Sequence, residues 1–332
     1  MLIVADERVG VAGRYESSES RTEGGRMRCP TIAELPKPPA DKAGWPWTEE
    51  SERLPDAMPD GRAWPKISIV TPLLNQRPFI EETIRSILLQ GYPDIEYLIV
   101  DGGSTDGSLE LIEKYAAWVK CAVRIGEGQS AAVNHGFRAA AGELIGWQNS
   151  DDFYAQDSFG SAALAAAAHP DYDILNGMVR GFQGQDSRPP WLFENCNEFS
   201  QDKLLEEVCV MNQSMFFRQR IFEQGVWLRE DLHFAMDIEF FWRLSLEGFR
   251  YHLVPSMIGY YRQHENAKST QYDVRSDLEP YAILRGLCRD RRLDRRLRLM
   301  ARRQLRMRFL RSFFHARRTI LKKLAPELIL PV

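Results

Sequence analysis

Residues 66–108 read KISIVTPLLNQRPFIEETIRSILLQGYPDIEYLIVDGGSTDGS. KISIVTP (66–72) is a short β-branched run and reads as a strand, FIEETIRSILLQ (79–90) has helical spacing, and IEYLIVD (95–101) returns to strand. Outward from this stretch the rhythm continues, with SLELIEKYAAW (108–118) as a helix, CAVRI (121–125) as a weaker strand, SAAVNHGFRAAA (130–141) as a helix and ELIGWQ (143–148) as a strand. Strands alternating with helices predict βαβ units: an α/β fold with a mainly parallel sheet covered by helices on both faces. Ligands of such sheets bind beyond the carboxyl ends of the strands. That rule places Asn75, Asp101, Asp151 and Asp152 on one rim.

The composition narrows the function classes. The chain has 332 residues, 44% of them hydrophobic, enough for a sizeable core. It has no run of 18 apolar residues and no basic segment ahead of an apolar one at its start, so neither a membrane span nor a secretory signal is expected, and a cytoplasmic location is. Cys29, Cys121, Cys196, Cys209 and Cys288 form no CxxC pair, which argues for packed thiols over disulfides or zinc. Residues 1–65 hold 8 of the 18 prolines and little periodicity, so a flexible extension is expected there, ahead of a domain at 66–270 and a basic helical tail at 271–332. From Arg285 to Lys323 there are 16 Lys or Arg against two acids, leaving 27 basic and 44 acidic residues elsewhere. An acidic body excludes general nucleic-acid binding.

Four constellations carry candidate chemistry, each with a plainer reading. VDGGSTDGS (100–108) suits a strand-turn-helix junction, although Asp101 at the strand's end could also accept hydrogen bonds from a base or ribose. NSDD (149–152) could be a helix cap; its adjacent carboxylates, in a chain without a Cys/His cluster, also suit Mg²⁺ or Mn²⁺ bound with substrate phosphates. In FAMDIEFFWRLS (234–245), Asp237 is either a helix cap or a general base, a modest one unless burial raises its pKa. His264 in YYRQHENAKS (260–269) is either a packing residue or a neutral imidazole completing the cation's shell.

In this order, SIVTPLLNQ, SILLQGYPDIEYLIVDGGSTDGS, GQSAAVNHGFRAAAGELIGWQNSDD, NQSMFFRQRIF and MDIEFFWRL resemble the inverting nucleotide-sugar transferases of glycosyltransferase family 2, which have the GT-A fold. The DGGSTDGS variant is similar to the branch that builds cell-surface polysaccharides. The resemblance implies nucleotide contacts at Thr71, Pro72, Asn75, Asp101, Ser104, Asn134 and Asp151, a divalent cation (Mn²⁺ or Mg²⁺) at Asp151, Asp152 and His264, a base at Asp237, and an acceptor side at Gln213 and Ser214. It implies a nucleotide-sugar donor, with UDP expected, and a glycan or lipid-linked acceptor. The chain departs from the family at Asn149, where Asp is usual, at Met236, where Glu is usual, and at Gly126, where close relatives often carry an acid. It lacks the QxxRW signature of processive synthases, so one sugar per encounter is expected. A sugar-nucleotide-binding relative without turnover stays open. A nucleotidyltransferase fits less well, since PLLNQRPF is no basic Gly-rich phosphate loop.

The tail, 285–324, intersperses Leu293, Leu297, Met300, Leu305, Phe309, Phe313 and Leu321 among its arginines. It is either a pair of helices packed on the domain or an amphipathic surface that rests on anionic lipid, making the protein peripheral on the inner face of a membrane.

Overall fold

A computed structural model describes residues 26–184, 191–195, 198–206, 209–268, 270 and 273–308. Strand β1 (Ile67–Leu73) is followed by α1 (Ile80–Leu88), β2 (Ile95–Asp101), α2 (Ser108–Glu113), β3 (Val119–Val123), α3 (Gln129–Ala139) and β4 (Leu144–Trp147). These strands are parallel and lie in the order β3-β2-β1-β4. In β1, Ile67, Ile69 and Leu73 enter a core shared with α1 and α2, while Val70 enters a second core shared with α3. Burial on both faces explains why these strands read as nearly continuous apolar runs. α2 ends at Glu113 rather than at the expected Trp118, and the chain reaches β3 through turns.

The second half carries β5 (Phe153–Tyr154), α4 (Ser158–Ala168), β6 (Ile174–Gln183), β7 (Phe193–Asn195), α5 (Gln201–Glu206), a 3-10 turn (Asn212–Ser214), β8 (Met215–Arg218), α6 (Arg220–Glu223), α7 (Met236–Leu246) and β9 (Tyr251–Gln263). β8 runs antiparallel to both β4 and β6, and β9 runs parallel to β6 and antiparallel to β5. The first strands are therefore parallel as expected, and the later ones make the whole sheet mixed.

Two expected domain boundaries move. Residues 26–65 are not a loose extension: Cys29, Leu35, Met58 and Trp64 are buried in the first core. The guanidinium of Arg85 on α1 donates to the carbonyls of Pro36, Pro46 and Trp47. The segment crosses so close to Gly91 (φ +63°) that a Cβ there would lie 2.3 Å from the carbonyl oxygen of Glu52. Such a strap shows no periodicity because isolated apolar side chains and proline carbonyls hold it. At the other end, α8 (Val274–Leu287) and a helical stretch at 295–308 extend the fold past 270. Leu284, Leu287, Leu293, Leu297 and Ala301 are buried in the second core, with Met300 and Leu305 packed against it. The part of the tail at Phe309, Phe313 and Leu321, like residues 1–25 and Cys196, lies outside the described residues. The other four cysteines are buried free thiols.

Candidate active site

NSDD follows β4, and its two carboxylates have different environments. Asp152 is 1% exposed and turned into the protein. Its oxygens accept from the backbone N–H of Arg262 (2.7 Å), from Gln213 Nε2 (2.7 Å) and from Asn149 Nδ2 (3.1 Å). Burial, with the Asp151 charge beside it, pushes the Asp152 carboxyl up to about 8. Three protein donors thus meet the Asp152 carboxylate, which leaves Asp151 as the carboxylate of the pair with more room for an expected metal. Asp151 differs, with a side chain 20% exposed and Oδ2 lying 3.1 Å from Nε2 of His264. Neighbouring ligands in an octahedral shell with bonds near 2.1 Å lie about 3 Å apart, so this pair fits two adjacent positions around a hard cation. Among the described residues no group of three His, Cys, Asp or Glu converges, so phosphate oxygens and water would fill the remaining positions.

The positive charge beside these aspartates belongs to Arg262, which the sequence reading passed over although it lies two residues before His264. Its Nε donates to the carbonyl of Asp151 (2.8 Å), and its guanidinium pairs with Glu82 on α1 (2.6 Å). The rings of Phe79 and Phe182 lie 4.8 and 4.7 Å from it. A buried charge so paired holds the NSDD loop to α1 and β9.

Asp237 occupies the first turn of α7 and is not its cap. The approach to α7 is held by Glu279 of α8, whose carboxylate accepts the N–H groups of His233, Phe234 and Ala235. Burial raises the Asp237 carboxyl above its ordinary value, although it accepts from the N–H of Ile238 (2.7 Å) and feels the charge of Lys268. That is the condition under which a carboxylate at a helix N-terminus becomes a useful base. Lys268 Nζ donates to Gln129 Oε1 (3.0 Å), and Gln129 Nε2 donates to Asn149 Oδ1 (3.2 Å). One hydrogen-bonded chain thus joins the surroundings of Asp237 to NSDD through the first residue of α3.

Several residues expected to touch ligand also make bonds within the protein. Thr71 is buried and takes the hydroxyl of Tyr97 (3.2 Å), and Pro72 is buried in β1 opposite Val100. The Asp101 carboxylate accepts from the N–H groups of Gly103 (2.9 Å) and Ser104 (3.0 Å) and from the Ser104 hydroxyl. Asn75, at φ +52°, donates its N–H to Ser104 Oγ and accepts from the N–H of Thr105, both at 2.8 Å. VDGGSTDGS is therefore a junction clamp tying the β1 and β2 loops together. Asn134 donates to the carbonyl of Leu228 and to Glu230 and accepts from the N–H of Leu228, holding the approach to α7. Gln213 Nε2 donates to Asp152, and Ser214 donates to the carbonyl of Met211. Two of the three departures fit their surroundings, as Asn149 bridges Gln129 and Asp152 and Met236 packs against Ser130; the third, Gly126, sits at φ +78° in open space.

The glycosyl transferase family 2 model matches residues 68–226. EpsJ of Bacillus subtilis, an uncharacterized glycosyltransferase, is 31% identical over 61% of this chain and 62% of its own. RfbC of Myxococcus xanthus, an O-antigen biosynthesis protein, is 30% identical over 63% of this chain and 17% of its own. The chain spans less than two thirds of either relative. TarS 1–349 of S. aureus in complex with UDP-GlcNAc superposes with a TM-score of 0.59 at 21% identity, covering 79% of this chain and 76% of its own. The mannosyltransferase PcManGT of Pyrobaculum calidifontis, in complex with GDP-Man and Mn²⁺, gives 0.54 at 16%, covering 84% and 85%. At these identities the likeness bears on the fold alone, which is of the GT-A kind.

Proposed function

We propose that the chain, whose residues 68–226 match the glycosyl transferase family 2 model, transfers a single sugar, with inversion, from a nucleoside-diphosphate sugar to a hydroxyl of a glycan or lipid-linked acceptor of the cell surface. UDP is the nucleotide favoured. The observation that carries this reading is the half-buried Asp237 carboxylate, raised toward basicity, joined through Lys268, Gln129 and Asn149 to the loop that bears Asp151. The acceptor oxygen bonds to the anomeric carbon as the bond from that carbon to the diphosphate breaks, its electron pair leaving on the phosphate oxygen. Asp237 takes the acceptor proton. Asp151 and His264 would hold a divalent cation, Mn²⁺ or Mg²⁺, which supplies Lewis-acid neutralisation of the departing diphosphate. Glu279 fixes the helix that carries Asp237, and Arg262 fixes the loop that carries Asp151.

The test is release of nucleoside diphosphate and formation of glycoside by wild type and Asp237→Asn. Transfer should fall by about 10² or more while donor binding persists. An unchanged rate in the variant sinks the assignment of the base. A binding-only relative is the competing reading, favoured by Met236 in place of an acid; slow donor hydrolysis by wild type without acceptor would count against it. We assign to the basic tail contact with an anionic membrane, where a lipid-linked acceptor would lie. Among the described residues no helix is long and apolar enough to cross a membrane.

A further inference from the structure

Lys268 stands in the segment after β9, half-buried, with its ammonium 5.3 Å from the ring centre of Phe234. Among the described residues its hydrogen-bond partner is a neutral one, Gln129 Oε1, and no carboxylate forms an ion pair with it. The charges that reach it lie further off: Asp237 and Glu279 favour the ammonium and Arg275 opposes it. Withdrawing an ammonium from water without a paired anion is unfavourable, and such charges are normally matched. A lysine ammonium has three donors, and one is occupied here. The same Gln129 amide donates to Asn149, so one side chain links the ammonium to the loop that carries Asp151.

We infer that Lys268 is a diphosphate-binding residue, its ammonium meeting the phosphate that departs with the nucleoside while Asp237 receives the acceptor proton nearby. The inference rests on the donor reading above. It would give the leaving group a second cationic contact beside the divalent cation that Asp151 and His264 would hold. It also explains the polar chain from Gln129 to Asp152, which aims the lysine and the NSDD loop at the same ligand.

Calorimetric titration of the full chain tests it without any assay of turnover. Wild type, Lys268→Met and Lys268→Arg are each titrated with UDP, UMP, GDP and GMP in Mn²⁺, and their thermal melting is compared. Wild type should favour one diphosphate over its monophosphate. Lys268→Met should lose about tenfold or more in affinity for that diphosphate, with the monophosphate unchanged, and Lys268→Arg should recover most of the loss. Diphosphate affinity unchanged in Lys268→Met overturns the inference, as does an equal loss for mono- and diphosphate, which marks a role in loop structure. If wild type binds none of the four nucleotides, the donor reading itself falls and takes this inference with it.

Discussion

Glu279 accepts the backbone N–H of Ala235 at 2.8 Å, and with it those of Phe234 (2.6 Å) and His233 (2.8 Å). α7 begins without a side-chain cap of its own, and a carboxylate from α8 instead holds the amides of the segment leading into it, up to the N-cap residue Ala235, and complements its dipole. Asp237 lies two residues beyond Ala235. Glu279→Ala should therefore lower stability on the order of 2 kcal/mol, seen as an earlier urea midpoint at unchanged slope. The turnover rate should fall more than donor affinity. Glu279→Gln, which keeps an acceptor oxygen, should sit between. Coincident urea curves for wild type and Glu279→Ala would show that this carboxylate does not stabilise the helix start.

The two aspartates of NSDD should separate by phenotype. Asp151→Ala removes a carboxylate facing His264 and few internal bonds, so the fold should keep its melting temperature while Mn²⁺-dependent stabilisation by nucleotide disappears. For a ligand at 100 times its Kd that stabilisation is about 2.7 kcal/mol in wild type. Asp152→Ala strands the donors of Arg262, Gln213 and Asn149 in a buried place, and each such group costs about 1–3 kcal/mol. It should melt lower with or without ligand. The reverse pattern, metal response lost in Asp152→Ala and retained in Asp151→Ala, would exchange their roles.

Periodicity made the parallel half of the sheet and its helices legible, because residues such as Ile67, Ile69 and Val70 are buried on both faces. It did not reveal the strap at 26–65, where single residues such as Trp64 and Met58 anchor an irregular chain. The rim rule placed Asn75, Asp101, Asp151 and Asp152 on one rim, while His264 was read separately. It could not show that Asp101, Asn75 and Asn134 would bond neighbouring backbone, since a side chain that binds ligand and one that clamps a loop have the same letter. Arg262 and Glu82 pair across 180 positions, a distance no local pattern spans. Lys268 lies in YYRQHENAKS with nothing local to set it apart from a surface lysine, and only its half-buried position without an ion pair marks it.

The pH profile of transfer should have both limbs within reach. Burial raises Asp237, and a base must be unprotonated, so the rate falls as pH drops through a value above the ordinary aspartate pKa of about 3.9. Burial pushes Lys268 down to about 8, against the pull of Asp237 and Glu279 and with the push of Arg275. Above that pH the ammonium is lost, and kcat/KM should decline with donor affinity. Lys268→Arg keeps its charge and should remove the alkaline limb alone. Asp237 also binds its proton more tightly folded than unfolded, so its contribution to stability is present at low pH and lost as pH rises through the raised value. Asp237→Asn should accordingly be more stable than wild type at neutral pH, read as a higher urea midpoint.

The tail's packing decides how it would meet a membrane. Leu293, Leu297 and Ala301 are buried in the second core, so the stripe that looked free for lipid is used by the domain itself. What faces outward is basic: Arg295, Arg302, Arg303 and Arg306 are exposed, with Leu299 (51%) and Met307 (44%) beside them. Arg289, Arg291, Arg298 and Arg302 also line an open groove of about 560 Å³ against Cys288. Such a face suits headgroup phosphates with shallow apolar contact, not deep insertion. The full chain should float with vesicles containing phosphatidylglycerol, stay behind with pure phosphatidylcholine, and be released by salt. Replacing Arg289, Arg291 and Arg302 by Ser should abolish flotation at unchanged melting temperature, because none of the three has a carboxylate partner among the described residues. Full-length protein that ignores anionic vesicles at low salt would leave the tail as a packing element only, and a soluble acceptor would then be the one to seek.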